Sequence, residues 1–389
     1  MKNRIDQLLS DGTSSGSFRG VAVMVCNSGG SLYEGSSGVA KNKPMSNETV
    51  CVIHSMTKPI TAAAVMQLVE QGRLSLEAPA GKVCEYLNEV KVLESFDANG
   101  QPKLRPPASP VTLRQLLTHT SGFAYTTWNE LLRDYTIRTN TPPLTSLKRA
   151  AVQVPLMFDP GTQWEYGIGI DWAGFMVEAV TNMTLGEYIK ENLTGPLGMH
   201  DTAFAPTASM SERLATIYHR HPDGSLGLLA QDPLAMDFPV PEFEMGGGGL
   251  LSTGRDYCRF MRMILNGGEL EGQRVLSEET VQQMTTNQIG ALRVKPLKTA
   301  EPIMSNDAEF FPGSPKSWGL SFQINEQAEE TGRAAGTLMW AGLSNNYFWI
   351  DQANDVAGLM LGQILPFVDA RAIELFDKVE TTVYQNLPS

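Results

Sequence analysis

The 389-residue chain carries only four cysteines, Cys26, Cys51, Cys84 and Cys258, widely spaced and without a C-x-x-C pair. That spacing excludes a zinc ribbon or a thioredoxin-type redox motif, and the four read as reduced core residues rather than a disulfide framework. Positive charge is also in short supply: 30 Lys and Arg stand against 42 Asp and Glu, a net charge of −12 with His neutral. An acidic surface disfavours nucleic acid and anionic membranes as partners. No apolar run reaches the ~20 residues that span a bilayer. The start, MKNRIDQLLSDG, lacks the apolar stretch of a secretory signal. A cytoplasmic protein without a transmembrane segment is expected, and its oligomeric state is not legible. Histidines number five, with no H-E-x-x-H among them. His219-Arg220-His221 has no carboxylate or cysteine partner at metal spacing and reads as a solvent loop, so no metal and no organic cofactor are expected.

Apolar residues, by contrast, are ample at 42%, enough for a sizeable packed core. Val21-Ala22-Val23-Met24-Val25, the turn cluster Asn27-Ser28-Gly29-Gly30 and Ser31-Leu32-Tyr33-Glu34 predict a hairpin over 19–38. The period then changes: Ile60, Ala64, Met66, Leu68 and Val69 predict a buried helix over 55–71 that Gly72 stops. Helix patterns and Pro-rich loops fill 75–250. A second long helix is predicted over 255–266, with Thr253 and Asp256 as a capping pair. Residues 294–317 read as a polar loop, 318–325, 336–342, 345–351 and 356–363 as strands, and 367–385 as a final helix. Strands at both ends imply an α/β (α+β type) fold, in which one antiparallel sheet formed from both termini is covered by helices. The sheet part is expected to comprise 1–80 and 250–389, a mainly helical part 81–249, and the site their interface.

Ser55-Met56-Thr57-Lys58 is the strongest local signal for chemistry. Ser and Lys three apart share one helix face. The unpaired N–H groups of a first helical turn favour developing negative charge. A serine hydroxyl needs a base nearby, and a lysine in a dry site loses its proton far more readily than in water. The motif follows the strand-like Val50-Cys51-Val52-Ile53 and opens an apolar helix. Gly12-Thr13-Ser14-Ser15-Gly16 matches G-x-S-x-G as a string. It lacks the strand before and helix after that a nucleophile elbow requires. His54 adjoins Ser55, but neighbouring side chains on a helix point apart; His119 reads as a buried, hydrogen-bonded scaffold group.

Four collinear segments together resemble the serine β-lactamase and penicillin-recognising superfamily, nearest its class C β-lactamase branch and the family VIII carboxylesterases. They are Ser55-Met56-Thr57-Lys58; the run from Val111 to Gly122 containing Leu116-Leu117-Thr118-His119-Thr120-Ser121; Pro196-Leu197-Gly198-Met199 with Asp201, Thr202 and Phe204; and Gly246-Gly247-Gly248-Gly249 leading to Thr253. The resemblance implies a tyrosine in a Y-x-N-type loop about a hundred residues after the serine. Tyr86-Leu87-Asn88 comes too soon after the helix, and Tyr384-Gln385-Asn386 lies in the expected terminal helix. Tyr166-Gly167-Ile168 follows Pro160-Gly161-Thr162-Gln163-Trp164-Glu165, similar to the family's P-G-x-x-(F/W)-x-Y stretch, and Tyr166 is taken. Ile168 stands where the lactamases carry Asn. The resemblance further implies a K-T-G-type strand beside the site. Trp340-Ala341-Gly342 takes that place, whereas Lys298-Thr299-Ala300 lies in a loop without the glycine. A lysine there would pair with a substrate carboxylate. An indole offers an apolar face and one N–H instead.

The resemblance, with its departures at Trp340 and Ile168, implies a serine carboxylesterase acting on a small, neutral ester of short acyl chain through an acyl-Ser55 intermediate. Lys58 and Tyr166 would be the acid/base pair, and the N–H groups of Ser55 and Leu343 the oxyanion hole; Trp340, Ala341, Gly342 and Ile168 would contact substrate. Tyr166 as a phenolate would need Lys58 to lower its pKa. Slow β-lactam turnover, a β-lactamase or DD-peptidase-like activity, acyl transfer to an alcohol and an inactive binding scaffold stay open as alternatives.

Overall fold

The structure, a computed structural model, describes residues 1–228 and 241–387; of the expected helical part, 81–249, residues 229–240 lie outside the described residues. Among the described residues, no helix is long and apolar enough to cross a membrane.

The expected sheet is present. Its strands are β1 (Gly20–Cys26), β2 (Ser31–Ala40), β3 (Lys43–Pro44), β4 (Lys316–Trp318), β5 (Gln323–Asn325), β6 (Leu338–Gly342), β7 (Asn346–Asp351) and β8 (Val356–Leu361). They form one eight-stranded sheet in the order β4-β5-β6-β7-β8-β1-β2-β3. Every neighbouring pair is antiparallel, and the β1–β8 pair, in which Val23 faces Met360, joins the two ends of the chain. Helices α1 (Lys2–Ser14), α2 (Thr57–Glu70), α3 (Leu113–Leu117), α4 (Glu130–Thr139), α5 (Gly169–Thr181), α6 (Gly254–Leu265) and α7 (Ala370–Tyr384) accompany it; α1, α6 and α7 pack on the sheet, while α2 and α3 pack on α5.

Alternation along β7 decides which helix covers which face. Tyr347 and Trp349 meet Phe376 of α7, at ring centroid distances of 5.0 and 5.5 Å, while Phe348 between them meets Tyr257 of α6 at 5.3 Å. A sheet covered on both faces needs apolar residues at every position, which is why β1, β6, β7 and β8 are buried throughout. The Thr253 side chain caps α6 by accepting from Asp256 N at 3.1 Å, as its sequence predicts. α2 has almost no polar face, because it runs through the core. Pro59 is tolerated because it falls in the first turn.

Two expectations need correcting. The apolar run 318–325 is not one strand. It reverses between β4 and β5, where Gly319 N donates to Phe322 O at 2.8 Å and Ser321 adopts φ +76°. A Cβ on Gly319 would lie 2.3 Å from Met284 O, so close backbone packing fixes the turn. His219-Arg220-His221 is not a solvent loop either. Tyr218–Arg220 is a strand pairing in parallel with Ile364–Leu365, and His219 is 3% exposed.

The segment before β6 is tied to α7 by an ion pair sealed from water: Arg333 and Glu380 side chains are both 0% exposed. Arg333 Nε donates to Glu380 Oε1 at 2.6 Å, and Thr331 Oγ1 donates to the same oxygen at 2.6 Å. Removing one charge strands the other in the core, at a cost of about 3–5 kcal/mol. Glu380→Gln is therefore expected to lower the unfolding free energy by about that amount in urea titration. A loss under about 1 kcal/mol would mean the pair is not what holds this segment.

Candidate active site

Local backbone pairing builds the site before any side chain enters it. Residues 51–52 pair antiparallel with 251–252, which draws the glycine run 246–249 to the tip of α2. Three bonds fasten that run: Ile53 N to Leu250 O at 3.1 Å, Leu250 N to Thr57 Oγ1 at 3.1 Å, and Thr61 Oγ1 to Gly246 O at 2.8 Å. From the other side, β6 closes on the same turn. A Cβ on Gly342 would sit 2.3 Å from Ile53 O, so only glycine lets the strand approach this closely. Asn346 Nδ2 donates to Val52 O at 2.9 Å and strengthens the junction.

Ser55 sits in the single turn His54–Met56 that leads into α2. Lys58 Nζ lies 3.0 Å from Ser55 Oγ, 2.9 Å from Tyr125 Oη and 2.6 Å from Gly247 O. The lysine is 0% exposed. Burial pulls its pKa down, and the charge of Asp171 opposes the shift. Three oxygens around one nitrogen suit either protonation state. The ammonium donates to all three; the neutral amine donates to Gly247 O and Tyr125 Oη and accepts from the Ser55 hydroxyl.

Tyr166 stands on the opposite wall. Its Oη accepts from Trp340 Nε1 at 2.9 Å, and its ring centroid is 4.7 Å from Lys58 Nζ. Burial pushes its pKa up; hydrogen bonding with Ser55 and Trp340 pulls the other way without cancelling the shift. The phenolate anticipated from sequence is therefore disfavoured, and Lys58 is the group whose proton is loosely held. His119 plays the scaffold part: in a left-handed conformation (φ +59°), its Nδ1 accepts from Gly167 N at 3.2 Å and its ring packs on Tyr166 at 4.6 Å. His54, held neutral by burial with a pKa pushed down to about 4, is no base near pH 7.

Ser55, Tyr166, Ile168, Trp340, Ala341 and Leu343 all line one cavity of about 730 Å³. Gly342 lies behind its wall, against Ile53. The discounted strings lie elsewhere. Tyr86 stacks on Trp172 at 5.1 Å, Tyr384 Oη bonds Asp351 at 2.8 Å, and Lys298 pairs with Asp307 on the surface at 2.7 Å. The G-x-S-x-G string is the end of α1. Among the described residues, no three His, Cys, Asp or Glu side chains gather as a metal site would require.

Two residues of the site are absent from the sequence reading. Tyr125 mirrors Tyr166 across Lys58, and its position three residues after Thr118-His119-Thr120-Ser121-Gly122 was the available signal. Asp171, in the first turn of α5, is 1% exposed and accepts from Gly247 N at 2.8 Å. In sequence it looks like an ordinary acidic residue placed to suit the helix dipole.

This arrangement has recognisable relatives. The β-lactamase family model matches residues 5–378. A monacolin J acid methylbutanoyltransferase of Aspergillus terreus is 29% identical over 355 residues, covering 88% of this chain and 83% of that protein. A lovastatin esterase of Penicillium rubens is 30% identical over 329 residues, covering 82% and 80%. The unliganded simvastatin synthase from Aspergillus terreus superposes with a TM-score of 0.85 at 26% identity, covering 99% of this chain and 98% of that one. The chain belongs to the β-lactamase family, within the serine β-lactamase and penicillin-binding superfamily, and is a serine hydrolase/acyltransferase-type enzyme on that fold.

Proposed function

We propose that the protein is a carboxylesterase for neutral esters, working through an acyl-Ser55 intermediate with Lys58 as the base. The observation that carries the reading is a lysine wholly out of water with its Nζ 3.0 Å from Ser55 Oγ. As Oγ attacks the ester carbonyl, its proton passes to the Lys58 amine. The N–H groups of Ser55 and Leu343 hold the oxyanion. When the C–O bond breaks, the departing alkoxide takes the proton back from the Lys58 ammonium through the tyrosine hydroxyls beside Ser55. Water then repeats the sequence on the acyl-enzyme. Trp340 and Ile168 support a neutral substrate: one donates its only N–H to Tyr166, the other has no polar atom, and neither could pair with a carboxylate.

A second reading, acyl transfer, rests on the methylbutanoyltransferase relative. Both reactions share the acyl-enzyme and differ only in whether water or another alcohol resolves it. Product analysis with added alcohols separates them: free acid alone marks hydrolysis, and a new ester marks transfer.

Three outcomes test the proposal on p-nitrophenyl acetate and butyrate. Ser55→Ala abolishes turnover, and Lys58→Ala lowers kcat by roughly 10²- to 10⁴-fold; a folded variant of either with near-native turnover contradicts the assignment. Trp340→Phe removes one hydrogen bond to Tyr166, worth about 1 kcal/mol, and lowers kcat about fivefold while the protein stays folded. Nitrocefin turnover far exceeding that of short esters would replace the esterase reading with a β-lactamase.

A further inference from the structure

Asp171 is a buried carboxylate that the proposed reaction does not use. Gly247 alone separates it from Lys58, offering its N–H to Asp171 Oδ1 at 2.8 Å and its C=O to Lys58 Nζ at 2.6 Å. The contact requires glycine: a Cβ there would lie 2.6 Å from Asp171 Oδ2 and 3.0 Å from Tyr125 Oη. Asp171 Oδ2 is sealed from solvent with no hydrogen-bond partner among the described residues. A carboxylate so poorly satisfied is costly unless a cation offsets it, and Lys58 is the cation that acts on it.

Several other groups face Lys58. His54 comes from the turn before α2 and His119 from the segment after α3, and burial holds both neutral. Tyr125 and Tyr166 close the sides, and burial pushes both phenols up, away from ionisation. Ser55 carries no charge. Among the described residues, Asp171, from α5, is the one anion that acts on the lysine.

We propose that Asp171 is a positioning residue that fixes, through Gly247, the carbonyl to which Lys58 donates, and whose negative charge sets the pH at which Lys58 becomes a free base for Ser55. The proposal rests on Lys58 being that base. An anion stabilises the ammonium, so removing it makes the neutral amine appear at lower pH.

The test is the pH profile of kcat/KM on p-nitrophenyl acetate, with folding checked by circular dichroism. Asp171→Asn keeps an acceptor for Gly247 without the charge. Its acidic limb should move down by about one pH unit, whereas Asp171→Glu should leave the limb near its wild-type position. A folded Asp171→Asn protein with a lower plateau but an unmoved limb overturns the proposal. Asp171→Ser, with room for a water to accept from Gly247, carries the same expectation if the Asn variant does not fold. Failure of both neutral variants to fold assigns Asp171 to the scaffold and likewise overturns it. Lys58→Ala separates the two layers. If it keeps near-native turnover, the underlying reading fails. If it is inactive and the Asn limb is unmoved, only the role of Asp171 fails.

Discussion

The structure around Ser55 depends on keeping one ammonium group away from water. An isolated lysine holds its proton to a pKa of about 10.4 and is useless as a base near neutrality. Burial against the apolar length of α2, the Gly246–Gly249 run and two tyrosines reverses that preference, because the charged form loses its hydration and gains only one carboxylate at second hand. The same three oxygens satisfy both forms: all accept from the ammonium, and the neutral amine donates to Gly247 O and Tyr125 Oη while accepting from the Ser55 hydroxyl, so the proton can leave and return without rearranging the site.

Much of the fold serves that enclosure. Both ends of the chain meet in one sheet, β6 carries Trp340 to the cavity wall, and the pairing of 51–52 with 251–252 brings the glycine run over the helix tip. Two close backbone approaches, at Gly247 and Gly342, allow the lysine and the serine to be covered without side chains intruding. An aromatic cluster of Tyr125, Trp128, Tyr166, Trp318 and Trp340 stands on the far side, with ring centroids 4.7–6.4 Å apart, and gives the cavity an apolar wall.

Those parts of the site that local pattern encodes were legible in the sequence. Ser55 and Lys58 announce themselves by spacing, by the strand before them and by the apolar helix after. The β1–β2 hairpin follows from alternation and a turn cluster, and the α6 cap from Thr253. Tyr166 and Trp340 emerged only through resemblance to a known family. Tyr125 and Asp171 did not emerge, since their importance comes from packing across the chain. Tyr125 reaches a lysine 67 positions away, and Asp171 acts through a glycine 76 positions away. The run 318–325 misled for a related reason. Its composition is that of a strand throughout, and its reversal is imposed by Gly319 packing against Met284.

The central claim, that enclosure turns Lys58 into a base near neutral pH, is tested most directly by the rate at which an uncharged fluorophosphonate labels Ser55 as a function of pH, with the site confirmed by peptide mass mapping. The account predicts a single rise with its midpoint near neutrality, and labelling confined to Ser55. A rate that rises only above about pH 9, where an ordinary lysine begins to deprotonate, or labelling at another residue, would contradict it.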